Sequence, residues 1–125
     1  MLANAIAVAS LPAEDIKRAI KFYTEQLGLK KLSEPFPGSV IFEAGAGTQL
    51  FMYERARTKA EHTVLNFMVD SVETTVKELT AKGVKFEQYD FPGLKTNDLG
   101  IATIEGQTAA WLKDPEGNII AIEEK

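Results

Sequence analysis

A repeat with a period of about 55 residues dominates this chain, because a sequence of 125 residues has room for only two such units. Ile16, Ile20, Tyr23 and Leu27 follow one another at steps of 4, 3 and 4, which predicts a helix with a single apolar stripe. Val72, Val76 and Leu79 predict a second helix of the same kind. Gly28 and Gly83 stand where a left-handed residue would end each helix, and Asp70 with Glu73 offers a capping-box-like start to the second. Ile16 corresponds to Val72, Gly28 to Gly83, and the tripeptide Phe36-Pro37-Gly38 to Phe91-Pro92-Gly93, all at a nearly constant offset. A chance match of two helix–strand patterns is the plain alternative, and the returning tripeptide argues against it.

Around each helix the sequence reads as short strands. A first strand is read in the opening run Met1 to Ser10. After the first helix come Leu29–Leu32, a Pro-Gly turn, then Val40–Ala44 and Gln49–Tyr53; after the second come Val84–Glu87, a Pro-Gly turn, then Ile101–Glu105 and Ala109–Lys113. Extra residues lie around Leu94 to Gly100, and a last strand, Asn118–Glu123, follows the turn Asp114-Pro115-Glu116-Gly117. The expected fold class is α+β, with two strand–helix–strands modules whose sheets need cover. The expectation is one domain over residues 1–125, with module one at about 1–56, module two at about 61–125, and the polar stretch Arg55–Glu61 as the linker.

Composition narrows the function classes. A hydrophobic content of 45% with 26% charged residues suits a chain that buries a core. The net charge is -4, and the 14 Lys and Arg are interleaved with acids, so a nucleic-acid surface is not expected. There is no cysteine, which removes disulfides and thiolate chemistry and fits a cytoplasmic location. The opening run from Met1 to Ser10 lacks a basic segment and stops at Pro12, so a strand is expected there in place of a signal peptide, and no membrane span. No Ser-His-Asp set, phosphate-binding glycine loop or His-Glu-x-x-His helix is present, and Gly45-Ala46-Gly47 reads as a hairpin turn.

Three segments carry a resemblance: Pro12-Ala13-Glu14-Asp15-Ile16 leading into Ala19-Ile20-Lys21-Phe22-Tyr23 and Leu27-Gly28-Leu29; Phe67-Met68-Val69-Asp70; and Trp111-Leu112-Lys113-Asp114-Pro115-Glu116-Gly117-Asn118. Together they resemble the vicinal oxygen chelate superfamily, which includes glyoxalase I, extradiol dioxygenases and bleomycin-resistance proteins. The resemblance covers nearly the whole chain. It implies two βαβββ modules forming a curved mixed sheet around a concave ligand site, usually completed in a homodimer.

In metal-dependent relatives the resemblance implies four ligands, typically two His and two carboxylates. Here those places fall at Val8, Leu50 or Gln49, Val64 and Ala121. Alkyl side chains have no lone pair to give a divalent ion. One histidine, His62, cannot furnish a two-histidine set, so neither a metal nor another cofactor is expected. A carboxylate-only set from Glu43, Glu54 or Glu123 is weighed against the simpler view that these are solvated strand ends.

Strand alternation then groups Ile6, Val8 and Ser10; Leu50 and Met52; His62, Val64, Asn66 and Met68; and Ile119, Ala121 and Glu123. If these faces line the concavity, the ligand-binding candidates are Ser10, Leu50, Met52, His62, Asn66, Met68, Trp111 and Glu123. Trp111 serves equally as a stacking wall or as core filler. Asn66 must find a hydrogen-bond partner, in a ligand or in the protein. His62 reads either as a pocket group or as a surface residue beside Glu61. The expected function is metal-free binding or sequestration of a small, partly apolar or aromatic molecule. The alternative is a glyoxalase-like lyase, isomerase or dioxygenase with a non-standard metal or acid–base site using His62 and Glu123.

Overall fold

Asp15 starts the first helix because its carboxylate accepts the Arg18 N–H at 3.1 Å while its own backbone stays extended. In the computed structural model, which describes residues 1–125, the chain divides into two compact units, Met1–Arg57 and Thr58–Lys125. In the first, β1 (Ala9–Ala13) leads into α1 (Ile16–Lys21), and the helix widens into a π-type turn over Phe22–Gln26 before Gly28 ends it at φ +78°. The widened turn buries two consecutive rings, Phe22 and Tyr23, where the uniform spacing read from the sequence buries Tyr23 and Leu27. Leu27 is only half-buried.

The sheet of this unit adds β2 (Lys30–Ser33), β3 (Ser39–Glu43) and β4 (Gln49–Glu54) in the order β1-β4-β3-β2. β1 and β4 run parallel and the other pairs are antiparallel. Leu11, Val40, Phe42, Leu50 and Met52 share one face and are buried. Tyr23 stacks on Phe42 at a centroid distance of 5.4 Å, which ties α1 to the sheet.

The first strand begins at Ala9, so the strand predicted in the opening run Met1 to Ser10 is displaced: Ile6 and Val8 lie ahead of it and are exposed. Apolar residues alone do not make a strand when no neighbouring backbone takes up their N–H and C=O groups.

The second unit repeats the plan, opening with β5 (Thr63–Val69) and α2 (Val72–Ala81). A separate hairpin follows, β6 (Asp90–Phe91) and β7 (Leu94–Lys95), turning at Pro92-Gly93. Then come β8 (Ile101–Ile104), β9 (Gln107–Lys113) and β10 (Ile119–Glu124), which join β5 in the order β5-β10-β9-β8. The cap of α2 is Ser71, whose hydroxyl accepts the Thr74 N–H at 3.2 Å; the expected box from Asp70 and Glu73 does not form. Asp70 points outward towards Lys125 instead.

Each unit also has a helix cap that the sequence did not announce. Glu54, at the end of β4, accepts the Ile16 N–H at 3.1 Å, and Glu124, at the end of β10, accepts the Val72 N–H at 2.9 Å. Each carboxylate satisfies an orphan amide at the positive end of its helix, an arrangement worth about 1 kcal/mol.

This match shows which strands correspond. Leu11 lies level with Met52 in the first unit, as Phe67 does with Ile122 in the second. The step from Met52 to Ile122 is longer than that from Leu11 to Phe67, so an inserted stretch enters the second unit between its first and last strands. β10 is therefore the counterpart of β4, and β9 of β3. The sequence pairing of Gln49–Tyr53 with Ala109–Lys113 was one strand early. The predicted strand Val84–Glu87 is reduced to a single bridge, Phe86 to Leu112, because the chain leaves the sheet there and returns as β8.

Candidate functional site

Alternation along β10 turns Ile120 and Ile122 into the core beside α2 and sends Ala121 and Glu123 to the opposite face. Ala121 is level with Asn66 and Glu123 with Met68 on one side; on the other, Ala121 faces Trp111 and Glu123 faces Ala109. Four of the eight candidates, Asn66, Met68, Trp111 and Glu123, thus share one sheet face within the second unit. Glu123 is oriented by Asn66, whose side-chain N–H donates to the Glu123 carboxylate at 2.9 Å. That bond answers the need for a partner at Asn66 from within the protein.

Beside these residues lies an open cleft of about 560 Å³, lined by Ile104, Glu105, Gln107, Thr108, Ala109, Trp111 and Glu123. Two carboxylates border it, and no Lys or Arg does. Its outer lip is the tip of the β8–β9 hairpin, where Glu105 and Gly106 both have positive φ, as a two-residue turn of this type demands. Trp111 is half-buried and is met edge-on by Tyr89 at 5.6 Å.

The remaining candidates lie elsewhere. Leu50 and Met52 are buried against α1, 3% and 0% exposed, on the face opposite Ser10. Alternation placed the two together correctly, but the helix claims that face of β4. Ser10 is level with Phe51, and Pro12 with Tyr53, so the open face of the first unit is aromatic. There Phe36, Phe51 and Tyr53 border a second cleft of about 590 Å³. His62 is exposed and precedes the first residue of β5, so it does not share the strand face predicted for it.

The donor positions implied by the resemblance do not fit a chelated ion. Val8 precedes β1, Leu50 points into the core, Val64 is the extra residue of a bulge between β5 and β10, and Ala121 ends in a methyl group. Gln49 is exposed at the start of β4. No three His, Cys, Asp or Glu side chains gather in a way that could hold a metal.

The family model described as the Glyoxalase/Bleomycin resistance protein/Dioxygenase superfamily matches residues 5–122. The chain belongs to this superfamily. A superfamily member from Sphaerobacter thermophilus is similar in fold, with a TM-score of 0.74 and 23% identity over 100% of both chains. A lactoylglutathione lyase from Agrobacterium tumefaciens gives a TM-score of 0.69 at 22% identity, over 97% of this chain and 93% of that one. The protein UcmS2 gives 0.72 at 17% identity, over 94% and 96%. No curated protein sequence matches. At these identities the likeness is one of fold, and it agrees with the α+β architecture of two sheet-and-helix modules.

Within this glyoxalase-superfamily chain, sequence reasoning missed Tyr89, Ile104, Glu105 and Gln107. Ala109 and Gln107 precede Trp111 at alternate positions of β9, so alternation held part of the signal. Tyr89 sits outside any regular strand and had none. Burial, and next the neighbouring Glu87 carboxylate, push the Tyr89 hydroxyl above its usual pKa of 10.0. The folded chain therefore keeps this proton to higher pH than the unfolded chain. Stability from this group is present in full below pH 10 and is lost as pH rises past the unfolded value towards the folded one. In an ultraviolet titration compared with Tyr89→Phe, the Tyr89 step is expected above pH 10, and Glu87→Gln should move it earlier.

Proposed function

We propose that this glyoxalase-superfamily chain binds a small, flat, partly apolar molecule against Trp111, in the cleft between the β8–β9 hairpin and Glu123. It acts by sequestration without a metal, as a homodimer. The carrying observation is the indole of Trp111 beside the Asn66–Glu123 pair, on a face where Ala109, level with Glu123, is small enough to leave room. Ring stacking supplies affinity, and the polar pair orients the ligand through hydrogen bonding. With Glu105 and Glu123 at the rim and no cation among the lining residues, neutral or cationic rings are favoured over anionic ones.

The lyase, isomerase or dioxygenase alternative would draw on Glu123 as its acid–base group, without His62 beside it on β5. Alkyl groups at the implied donor positions favour binding over metal chemistry.

The test is a thermal-shift screen of flat metabolites and antibiotics, followed by titration of the single tryptophan fluorescence. A compound present at 100 times its dissociation constant should stabilise the fold by about 2.7 kcal/mol, and Trp111→Ala should abolish the shift. Stoichiometric zinc, nickel or iron that is lost to chelators along with activity would overturn the reading in favour of the enzyme. Light scattering at twice the 13.7 kDa chain mass checks the dimer; a monomer at all concentrations defeats that part.

A further inference from the structure

We infer that the segment inserted in the second unit, residues 89–100, is a positioning element for the ligand site, with Tyr89 setting the plane of Trp111 and Thr96 locking Tyr89. The inference rests on the reading of the Trp111 cleft as the ligand site. Residues 89–100 fall within the stretch that lengthens the second unit relative to the first, so Phe91-Pro92-Gly93, in a hairpin of its own, is not the structural counterpart of Phe36-Pro37-Gly38 just before β3.

What the insertion builds is a set of local hydrogen bonds around one ring. Thr96 is buried, its hydroxyl accepts the Tyr89 N–H at 2.9 Å, and its own N–H donates to the Tyr89 carbonyl at 3.0 Å. The Thr96 hydroxyl donates in turn towards the Gln88 side-chain oxygen at 3.1 Å. Asn97 closes the return to the sheet, its side-chain oxygen accepting from Leu99 at 3.0 Å and Ile101 at 2.9 Å. The Tyr89 backbone is thereby fixed at both its donor and its acceptor.

Fixed in this way, the Tyr89 ring meets Trp111 at 5.6 Å with an interplanar angle of 65°, the edge-to-face geometry that aromatic pairs prefer. Tyr89 also stacks with Phe91 at 5.9 Å, and Phe91 is 59% exposed. A half-buried indole has more than one rotamer open to it unless a neighbour excludes the others. Tyr89 is such a neighbour. A preset indole plane lets a flat ligand stack without first freezing that side chain, which would otherwise cost part of the affinity.

The experiment uses the full chain and three variants, Tyr89→Phe, Tyr89→Ala and Thr96→Val, with circular dichroism confirming that each is folded. Trp111 is the only tryptophan, so acrylamide quenching and fluorescence anisotropy of the ligand-free protein report its mobility directly. Tyr89→Phe, which keeps the ring, should match the wild type. Tyr89→Ala and Thr96→Val should raise the quenching constant and lower the anisotropy. Isothermal titration with 9-aminoacridine, a flat cationic probe, should then show equal affinity for wild type and Tyr89→Phe, and a loss of roughly three- to tenfold in the other two, the range that one aromatic pair sets.

Unchanged quenching and anisotropy in Tyr89→Ala would overturn the inference whether or not the probe binds. A mobile Trp111 with unaltered probe affinity would overturn its link to binding. No binding of the probe to wild type would count against the ligand site itself, and the positioning role would fall with it.

Discussion

Phe42→Ala is expected to lower the unfolding free energy by about 3–5 kcal/mol, the cost of removing a fully buried ring. Phe42 is fully buried on β3, it lies level with Leu50 of β4, and its ring is the surface on which Tyr23 of the helix stacks. Removing it deletes the ring's transfer free energy, leaves a void between helix and sheet, and takes away the stacking partner at once. Val40, Met52 and Leu11 are buried on the same face and would border the void. Since domains of this size are stable by only about 5–15 kcal/mol, the variant should unfold at far lower urea concentration. Phe42→Leu retains most of the volume and should recover more than half of the loss. Equal losses in the two variants would contradict this packing account.

Gly100→Ala is expected to cost about 3 kcal/mol despite adding only one methyl group, because conformational strain and overpacking act together. Gly100 has φ +87°, where an L side chain is strained by roughly 1–2 kcal/mol. An added Cβ would also stand 2.8 Å from the Phe86 Cβ and 3.1 Å from the Glu87 carbonyl oxygen, closer than such atoms approach without backbone movement. Both obstacles belong to the segment that bridges β9, so relief of the clash would pull Phe86 off Leu112 or shift the return into β8. Gly93→Ala is the control: its φ is similar, +83°, but a Cβ there meets nothing within 4 Å. It should show the conformational penalty alone, and comparable melting temperatures for the two variants would remove the steric half of the argument.

The gap between sequence and structure is clearest on β4 and β10. Period-two alternation grouped Leu50 with Met52, and Ala121 with Glu123, without any structure, because successive side chains of a strand must point to opposite faces. What alternation does not say is which face the helix covers. On β4 the covered face is that of Leu50 and Met52, so these two left the candidate site and Phe51 and Tyr53 took the open side. On β10 the grouping and the face agreed, and Asn66, Met68, Trp111 and Glu123 came together. His62 fell out for another reason: a strand ends where backbone pairing ends, and pairing depends on the partner strand.

The helices, their glycine ends, the hairpin at Gly45–Gly47, the turn at Asp114 and the existence of two units all follow from the amino-acid order. Each rests on interactions among residues close in the chain: helical spacing, left-handed glycines, and an aspartate that accepts from Glu116 and Asn118 just beyond it. The edge-on contact of Tyr89 with Trp111 and the glutamate caps on both helices were decided in three dimensions alone. They join residues distant in the chain through packing and hydrogen bonding that no local propensity encodes.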